Sequence, residues 1–174
     1  MGSIGMSIRT IGARTIGLGL AFFLLIGCEG GSNSSGDLGQ DGLVIESFTA
    51  EQIFTRGEFE LERGKAKKAA EYFSEIERLY PYSEWAKRAL MMQAFAFHHA
   101  KDYENSRSAA QRFIDFYPAD EDAAYAQFVL ALSYYDQIDD IGRDQRLTYQ
   151  ALQALRILIE RYPKSEYARS AILK

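Results

Sequence analysis

Few side chains in this sequence have the types and spacing that catalysis or metal binding requires. The chain of 174 residues has one cysteine and two histidines, His98 and His99. Adjacent residues on a helix point about 100° apart, so these imidazoles cannot face one metal ion, and a lone cysteine cannot form a disulfide within the chain. HExxH, GxSxG and phosphate-binding glycine motifs are missing from the sequence. We therefore predict a non-enzyme with no catalytic residue, no metal site and no cofactor.

The first 27 residues have the pattern of a secretory signal peptide. Arg9 and Arg14 precede the apolar run TIGLGLAFFLLIG, and no acidic residue occurs before Glu29. A basic start followed by an apolar run of this length is typical of a signal peptide and is short for a membrane span. We assign residues 1–27 to this signal.

Cys28 is the one residue with a clear chemical role. Leu25, Ile26 and Gly27 stand directly before it and resemble a bacterial lipobox, in which the signal is cut before the cysteine and the thiol carries a diacylglycerol. The residue after the cysteine is not aspartate, which favours the outer membrane over inner-membrane retention. We predict lipidation at Cys28.

Residues 28–48 are expected to form the lipidated cysteine and a flexible tether. The segment EGGSNSSGDLGQDG contains a single apolar residue, so burial of apolar surface cannot offset the entropy lost on ordering. A Gly-rich coil of this length spans about 20 Å. The net charge of −4 predicts neither a nucleic-acid partner nor adhesion to anionic lipid by charge, so the acyl chains must hold the protein at the membrane.

From Thr49 onward the apolar residues follow a helical period, and the helices are interrupted in a repeated way. Thr49 and Gln52 have the spacing of a capping box. Each of the three prolines follows a tyrosine, at Tyr80-Pro81, Tyr117-Pro118 and Tyr162-Pro163. Proline cannot continue the helix before it, and regular spacing of such breaks indicates a repeat protein.

The segments after the prolines also match one another. Ser83-Glu84-Trp85-Ala86 corresponds to Ser165-Glu166-Tyr167-Ala168. In the middle copy we align Tyr125-Ala126 with the aromatic-Ala pair after about three inserted residues, with Asp120 or Asp122 as the cap. Counting back from Pro81, the small and aromatic positions of a tetratricopeptide repeat fall at Gly57, Ala69 and Phe73.

The body therefore resembles a tetratricopeptide-repeat protein over residues 49–174. This resemblance implies an all-α solenoid of about three and a half helix-turn-helix repeats, in which small residues let neighbouring helices approach. The alternative is an unrelated helical bundle. Phe95, Phe97 and Tyr134 lie on the first helices of their hairpins, which usually line the concave face of a solenoid, and are our candidate peptide-binding residues.

Three stretches carry a closer resemblance. They are ERLYPYSEWAKRA (77–89), RFIDFYPADEDAAYAQFVLALSYYDQI (112–138) and RDQRLTYQALQALRILIERYPKSEYARSA (143–171). Together with the lipobox they resemble the YfiO family of outer-membrane assembly lipoproteins, and Arg143-Asp144-Gln145 begins the most family-specific part.

This resemblance implies a lipid-anchored component of the β-barrel assembly machinery at the periplasmic face of the outer membrane. Its implied partners are the barrel subunit BamA, other lipoproteins of the machinery, and unfolded outer-membrane proteins. Family members usually continue further, so we expect residues 49–174 to be a truncated repeat domain. The alternatives are periplasmic repeat scaffolds of other envelope machines, namely a CpoB-like cell-division coordinator or a secretin pilotin.

Overall fold

The computed structural model describes residues 45–138 and 145–174 of the chain. A 3-10 turn at Ile45–Ser47 leads into the helices. In chain order these are α1 (Ala50–Glu62), α2 (Ala66–Leu79), α3 (Glu84–His99), α4 (Tyr103–Phe116), α5 (Ala123–Tyr135), α6 (Gln145–Arg161) and α7 (Glu166–Ala171). Within these ranges there are no strands, and no helix is long and apolar enough to cross a membrane. The predicted all-α repeat fold is confirmed.

The helix starts follow from local hydrogen bonding. The Thr49 amide donates to Gln52 Oε1 at 2.9 Å, and the Gln52 amide donates to Thr49 Oγ1 at 3.3 Å. Ser83 and Ser165 accept from the amides three residues on, at 3.2 and 3.0 Å. Such caps satisfy first-turn amides that have no partner in the helix, so the chain restarts a helix soon after each break.

The middle junction differs from the alignment made on sequence. The Asp120 amide donates to Tyr117 O, and the Ala123 amide donates to Asp120 O, both at 3.1 Å. Ser83 and Ala86 make the same two bonds after Tyr80. Asp120 and Ala123 therefore occupy the positions of Ser83 and Ala86. The prediction of about three inserted residues at this junction was wrong.

The cap of α5 also differs from those of α3 and α7. Asp122 is the N-cap of α5 but makes no side-chain capping bond. Asp120 Oδ1 instead accepts from the Asp122 amide at 3.0 Å. Because this local bond extends the turn, α5 begins five residues after Pro118, whereas α3 begins three residues after Pro81.

The helices form two layers. Consecutive helices pair as hairpins α1–α2, α3–α4 and α5–α6, and α7 packs on both α5 and α6. The odd-numbered helices also contact one another directly, α1 with α3, α3 with α5 and α5 with α7. The even-numbered helices pack on this odd layer, as expected for stacked helical hairpins that each cannot bury their apolar face alone.

Two apolar clusters fill the space between the layers. One lies around Phe73, among α1, α2 and α3, and the other around Phe113 and Leu158, among α3 to α7. Many of their members are fully buried alanines, such as Ala69 and Ala110. These small side chains allow the close helix approach that the repeat pattern predicted.

Polar side chains also join the helices inside the body. Gln93 on α3 donates to Ser74 of α2 and accepts from Arg112 Nη2 of α4 at 3.0 Å, and Arg112 Nη1 lies 3.1 Å from Glu77 Oε1. Since a buried amide is costly unless its hydrogen bonds are satisfied, this network fixes which side of α3 faces the even-numbered helices.

Candidate functional site

One side of α3 carries half-buried and exposed side chains away from the even-numbered helices. Residues three or four apart on a helix share a face, and Gln93, which meets α2 and α4, lies on the opposite side of α3. The stripe that remains consists of Trp85, Arg88, Met92, Phe95 and His99.

α5 and α7 continue this surface. On α5 the same spacing gives Tyr125, Phe128, Leu132 and Tyr135, all partly exposed, and α7 contributes the partly exposed Tyr167. We call these side chains, with the α3 stripe, the odd-helix face. It presents a row of aromatic rings across neighbouring helices, and rings offer large apolar contact at low cost in side-chain entropy.

Ring contacts between helices hold the odd-helix face in shape. On α3, Trp85 stacks against Phe54 of α1 with centroids 5.1 Å apart. The Arg88 guanidinium lies 4.8 Å from the Trp85 ring and 5.0 Å from the Phe54 ring. Cation–π contacts of this kind orient the arginine without neutralising it, so Arg88 brings a positive charge to an apolar surface.

The α5–α7 end is built from tyrosines. Tyr167 lies 5.0 Å from Tyr125 and 5.6 Å from Phe128, measured between ring centroids. Burial raises the pKa of Tyr125 to about 12, and burial also raises the pKa of Tyr167. Both hydroxyls therefore remain protonated at neutral pH and can donate a hydrogen bond.

The three residues predicted for peptide binding lie on different sides of the odd-numbered helices. Phe95 is part of the odd-helix face, where its ring centroid is 4.3 Å from that of His99. Phe97, four residues after Gln93, lies on the side of α3 that faces α2 and α4. Tyr134 points towards α4, and the Arg107 guanidinium lies 4.5 Å from its ring.

Tyr134 belongs to a groove on the other layer. This cavity of about 320 Å³ lies between α4 and α6, with Leu130 and Tyr134 of α5 lining it together with Gln111, Tyr149 and Gln150. It is separate from the odd-helix face because its α5 residues lie on the opposite side of that helix.

A histidine–carboxylate contact lies where α3 meets the end of α5. His98 Nε2 is 3.0 Å from Asp136 Oδ2, and the His98 ring packs 5.5 Å from that of Tyr103. Burial lowers the pKa of His98, with a smaller lowering from His99, although the Asp136 carboxylate acts in the opposite direction. His98 is thus neutral at neutral pH.

Several residues of the odd-helix face were not predicted from the sequence. Trp85 and Arg88 on α3, and Phe128 and Tyr135 on α5, have the spacing of one face of their helix. That spacing was the available signal, but α3 is apolar on most of its sides, so the pattern did not distinguish the outward face from the faces packed on neighbours.

The remaining sequence predictions fall outside these residues. Cys28 and the lipobox residues Leu25, Ile26 and Gly27 lie outside residues 45–138 and 145–174, as do Arg143 and Asp144. In the part of the chain that the structure describes, no cluster of three or more His, Cys, Asp or Glu side chains could hold a metal ion.

Comparison with known proteins gives one consistent result. Residues 46–174 match the family model YfiO, described as an outer membrane lipoprotein. The chain is similar to proteins named outer membrane protein assembly factor BamD. It is 42% identical to that of Caulobacter vibrioides over 132 residues, covering 76% of this chain and 43% of the relative.

Two further relatives extend the comparison. Identity is 35% with the protein of that name from Rickettsia prowazekii, covering 70% of this chain and 49% of the relative. Identity is 23% with the protein of that name from Neisseria meningitidis serogroup A, covering 90% of this chain and 60% of the relative. The chain spans about half the length of the curated relatives it matches.

Proposed function

Because the chain belongs to the YfiO family of outer membrane lipoproteins, we propose that it takes part in outer-membrane protein assembly. In this proposal the chain is a lipid-anchored scaffold that binds BamA and other lipoproteins of the machinery and receives unfolded outer-membrane proteins. The names of its relatives, which are assembly factors, support this role over catalysis.

The observation that carries the proposal is the odd-helix face. Unfolded outer-membrane proteins carry strands in which apolar and aromatic residues, which face lipid in the final barrel, alternate with polar residues. A row of partly exposed rings such as Trp85, Phe95 and Phe128 offers aromatic and apolar contacts to such a segment before it folds.

Polar groups on the same face would fix the direction of the bound segment. Arg88 carries a positive charge beside two rings and can pair with a carboxylate of the substrate. The protonated hydroxyl of Tyr125 can donate to a backbone carbonyl of an extended segment, which has no partner until the strand joins a sheet.

The anchor of this scaffold is the thiol of Cys28. In the proposal a diacylglycerol on Cys28 holds the protein at the periplasmic side of the outer membrane, after removal of residues 1–27. Residues 28–48 connect it to the repeat domain, residues 49–174. Because the protein is acidic, with a net charge of −4, attachment depends on the acyl chains.

A pull-down tests the proposed role. The full-length protein, tagged at its C-terminus, is expressed in its host and isolated from detergent-solubilised outer membrane. Recovery of the barrel-assembly subunit supports the proposal. Recovery of cell-division or secretin components without that subunit would contradict it and favour one of the other envelope scaffolds.

A further inference from the structure

Polar side chains join the even-numbered helices α2 and α4. Gln93 of α3 donates to Ser74 of α2 and accepts from Arg112 Nη2 of α4 at 3.0 Å. Arg112 Nη1 also lies 3.1 Å from Glu77 Oε1 of α2. Because polar groups inside a protein are costly without such partners, these four side chains tie α2 to α4 across α3.

The next pair of even-numbered helices, α4 and α6, lacks this network. Equivalent positions on these helices are found by counting back from the tyrosine before each proline, and those on α3 and α5 by counting on from Ser83 and Asp120. In the order Ser74, Glu77, Gln93 and Arg112, the counterparts are Gln111, Ile114, Leu130 and Ile157. Three of these counterparts are aliphatic and cannot form hydrogen bonds between the helices.

All four counterparts line the cavity of about 320 Å³ between α4 and α6, which we call the α4–α6 groove. The groove therefore lies where the repeat replaces its polar bridge with aliphatic side chains. Ile114 and Leu130 are buried in its floor, and Ile157 is 39% exposed. On one wall the amides of Gln150 and Gln153 are partly exposed and have no hydrogen-bond partner in the part of the chain that the structure describes.

The charge of the α4–α6 groove is positive. None of its lining residues is acidic, and Arg161 is exposed at one end with no carboxylate of the described residues within ion-pair distance. At the other end, where α5 ends, the Arg107 guanidinium lies 4.5 Å from the Tyr134 ring. The Asp115 carboxylate on α4 accepts from the Gln111 amide at 2.8 Å. In a chain of net charge −4, such a groove attracts acidic groups.

An extended segment fits these features better than a helix does. A helix satisfies its own backbone N–H and C=O groups, whereas an extended segment leaves them free for amides such as those of Gln150 and Gln153. Gln150 and Arg161 are 11 residues apart on α6, which is about 17 Å at 1.5 Å per residue. About five residues of extended chain span that distance.

We propose that the α4–α6 groove binds an extended acidic segment of a partner protein. An apolar side chain of the segment packs on Leu130 and Ile157, and a carboxylate pairs with Arg161. The glutamine amides of α6 bind its backbone. This site goes beyond the proposed binding of unfolded substrates, because the groove and the odd-helix face lie on opposite sides of α5 and can be tested separately.

A pair of peptides tests the proposal on the full-length protein in detergent. The probe is a short fluorescent peptide in which leucine and serine alternate between two terminal glutamates, with both peptide ends blocked so that only the side chains are charged. The comparison peptide has glutamine in place of both glutamates. Fluorescence anisotropy measures the binding of each peptide at low and at high salt.

We expect the glutamate peptide to bind at least about threefold more tightly than the glutamine peptide at low salt, with a smaller preference at high salt. Arg161→Gln should reduce this preference, and Ile157→Ala should weaken the binding of both peptides. Both side chains are exposed, so neither change threatens the fold. The matched control, Arg156→Gln with Leu152→Ala, alters the side of α6 that faces α7 and should bind as the wild type does.

Equal binding of the two peptides, or no saturable binding of the glutamate peptide, would overturn the proposal. An unchanged preference in Arg161→Gln would do the same. Phe95→Ala with Phe128→Ala should bind the glutamate peptide normally, and loss of binding in that variant would place the peptide on the odd-helix face and overturn the groove as its site. Failure of the pull-down of the barrel-assembly subunit would contradict the proposed function and leave these peptide results standing.

Discussion

Gly57 on α1 lies directly against the ring of Phe73 on α2. A Cβ atom added to Gly57 would be 2.6 Å from Phe73 Cε1 and 2.8 Å from Cζ. Phe73 is fully buried, so its ring has no space to move away. The closeness of α1 and α2 therefore depends on the absence of a side chain at position 57.

Gly57→Ala tests this close approach. Overpacking a core costs about 1–3 kcal/mol, and the better helix propensity of alanine returns only about 0.5–1 kcal/mol. We expect a net loss of free energy of unfolding, measured by denaturant titration. Glu58→Ala, at an exposed position of the same helix, should change stability by less than about 0.5 kcal/mol.

A compensating change sharpens the test. In the double variant Gly57→Ala with Phe73→Leu, the smaller side chain leaves room for the new methyl group. The double variant should therefore lose less free energy of unfolding than the sum of the losses in the two single variants. A Gly57→Ala protein as stable as the wild type would contradict the contact.

Ser106 and Ser133 form a buried hydroxyl pair between α4 and α5. Ser106 Oγ donates to Ala94 O at 2.8 Å and lies 2.9 Å from Ser133 Oγ, which can also donate to Val129 O at 2.9 Å. Because Ser133 keeps the Val129 acceptor, Ser106→Ala should cost only about 1 kcal/mol of unfolding free energy.

The same pair should show coupling in a double-mutant cycle. Replacing both serines by alanine should cost less than the sum of the single changes, because the second change no longer breaks the hydroxyl–hydroxyl bond. Strictly additive thermal or denaturant stabilities would show that the two hydroxyls do not interact.

The pKa of His98 is lowered by burial, and this predicts a pH dependence of stability. Below about 6.5, the ordinary pKa of histidine, the unfolded chain binds more protons at this position than the folded chain. The free energy of unfolding contributed by His98 is therefore fully present above that pH and is lost as the pH falls through the lowered folded pKa.

Urea titrations at several pH values between 7 and 5 measure this effect. The wild type should lose more stability over this range than His98→Gln, whose side chain does not titrate. The neighbouring His99 is exposed, and His99→Gln serves as the matched control. Parallel profiles for the wild type and His98→Gln would refute the assignment.

Cys28→Ala tests the lipid anchor directly. The variant should leave the membrane fraction after cell disruption, while its thermal unfolding stays unchanged because position 28 precedes the repeat domain. Alkaline washing of the membranes removes attachment through protein partners. If the washed variant still sedimented with membranes as the wild type does, the anchor would be excluded.

The local features of the fold were predictable because local sequence determines them. Thr49, Ser83 and Ser165 cap helices through bonds within one turn, and a proline cannot continue the helix that precedes it. The junction after Pro118 was misaligned because the N-cap of α5, Asp122, makes no side-chain capping bond of the kind that Ser83 makes, and the visible aromatic-Ala pair, Tyr125-Ala126, lies elsewhere on α5.

The orientation of individual side chains was harder to predict. Phe95 and Phe97 are two residues apart on an apolar helix, yet only Phe95 reaches the odd-helix face, because Phe97 follows Gln93 by one helical turn. Tyr134 and Tyr135 are adjacent, and Tyr134 faces α4. Which of them faces outward depends on where the neighbouring helices pack, and this information lies in the tertiary structure.

The central claim is that the odd-helix face binds unfolded outer-membrane protein segments. The probe is a fluorescent peptide of alternating apolar and polar residues that ends in a phenylalanine carboxylate, titrated against the full-length protein in detergent. The test variant is Phe95→Ala with Phe128→Ala. The matched control, Tyr149→Ala with Leu152→Ala, removes two exposed side chains from α6.

We expect the odd-face variant to bind the peptide at least about tenfold more weakly, since truncating two central aromatic contacts costs more than about 1.4 kcal/mol in total. The control should bind as the wild type does. Unchanged affinity in the odd-face variant would contradict the account, and weakened binding by the control would place the site on α6 instead.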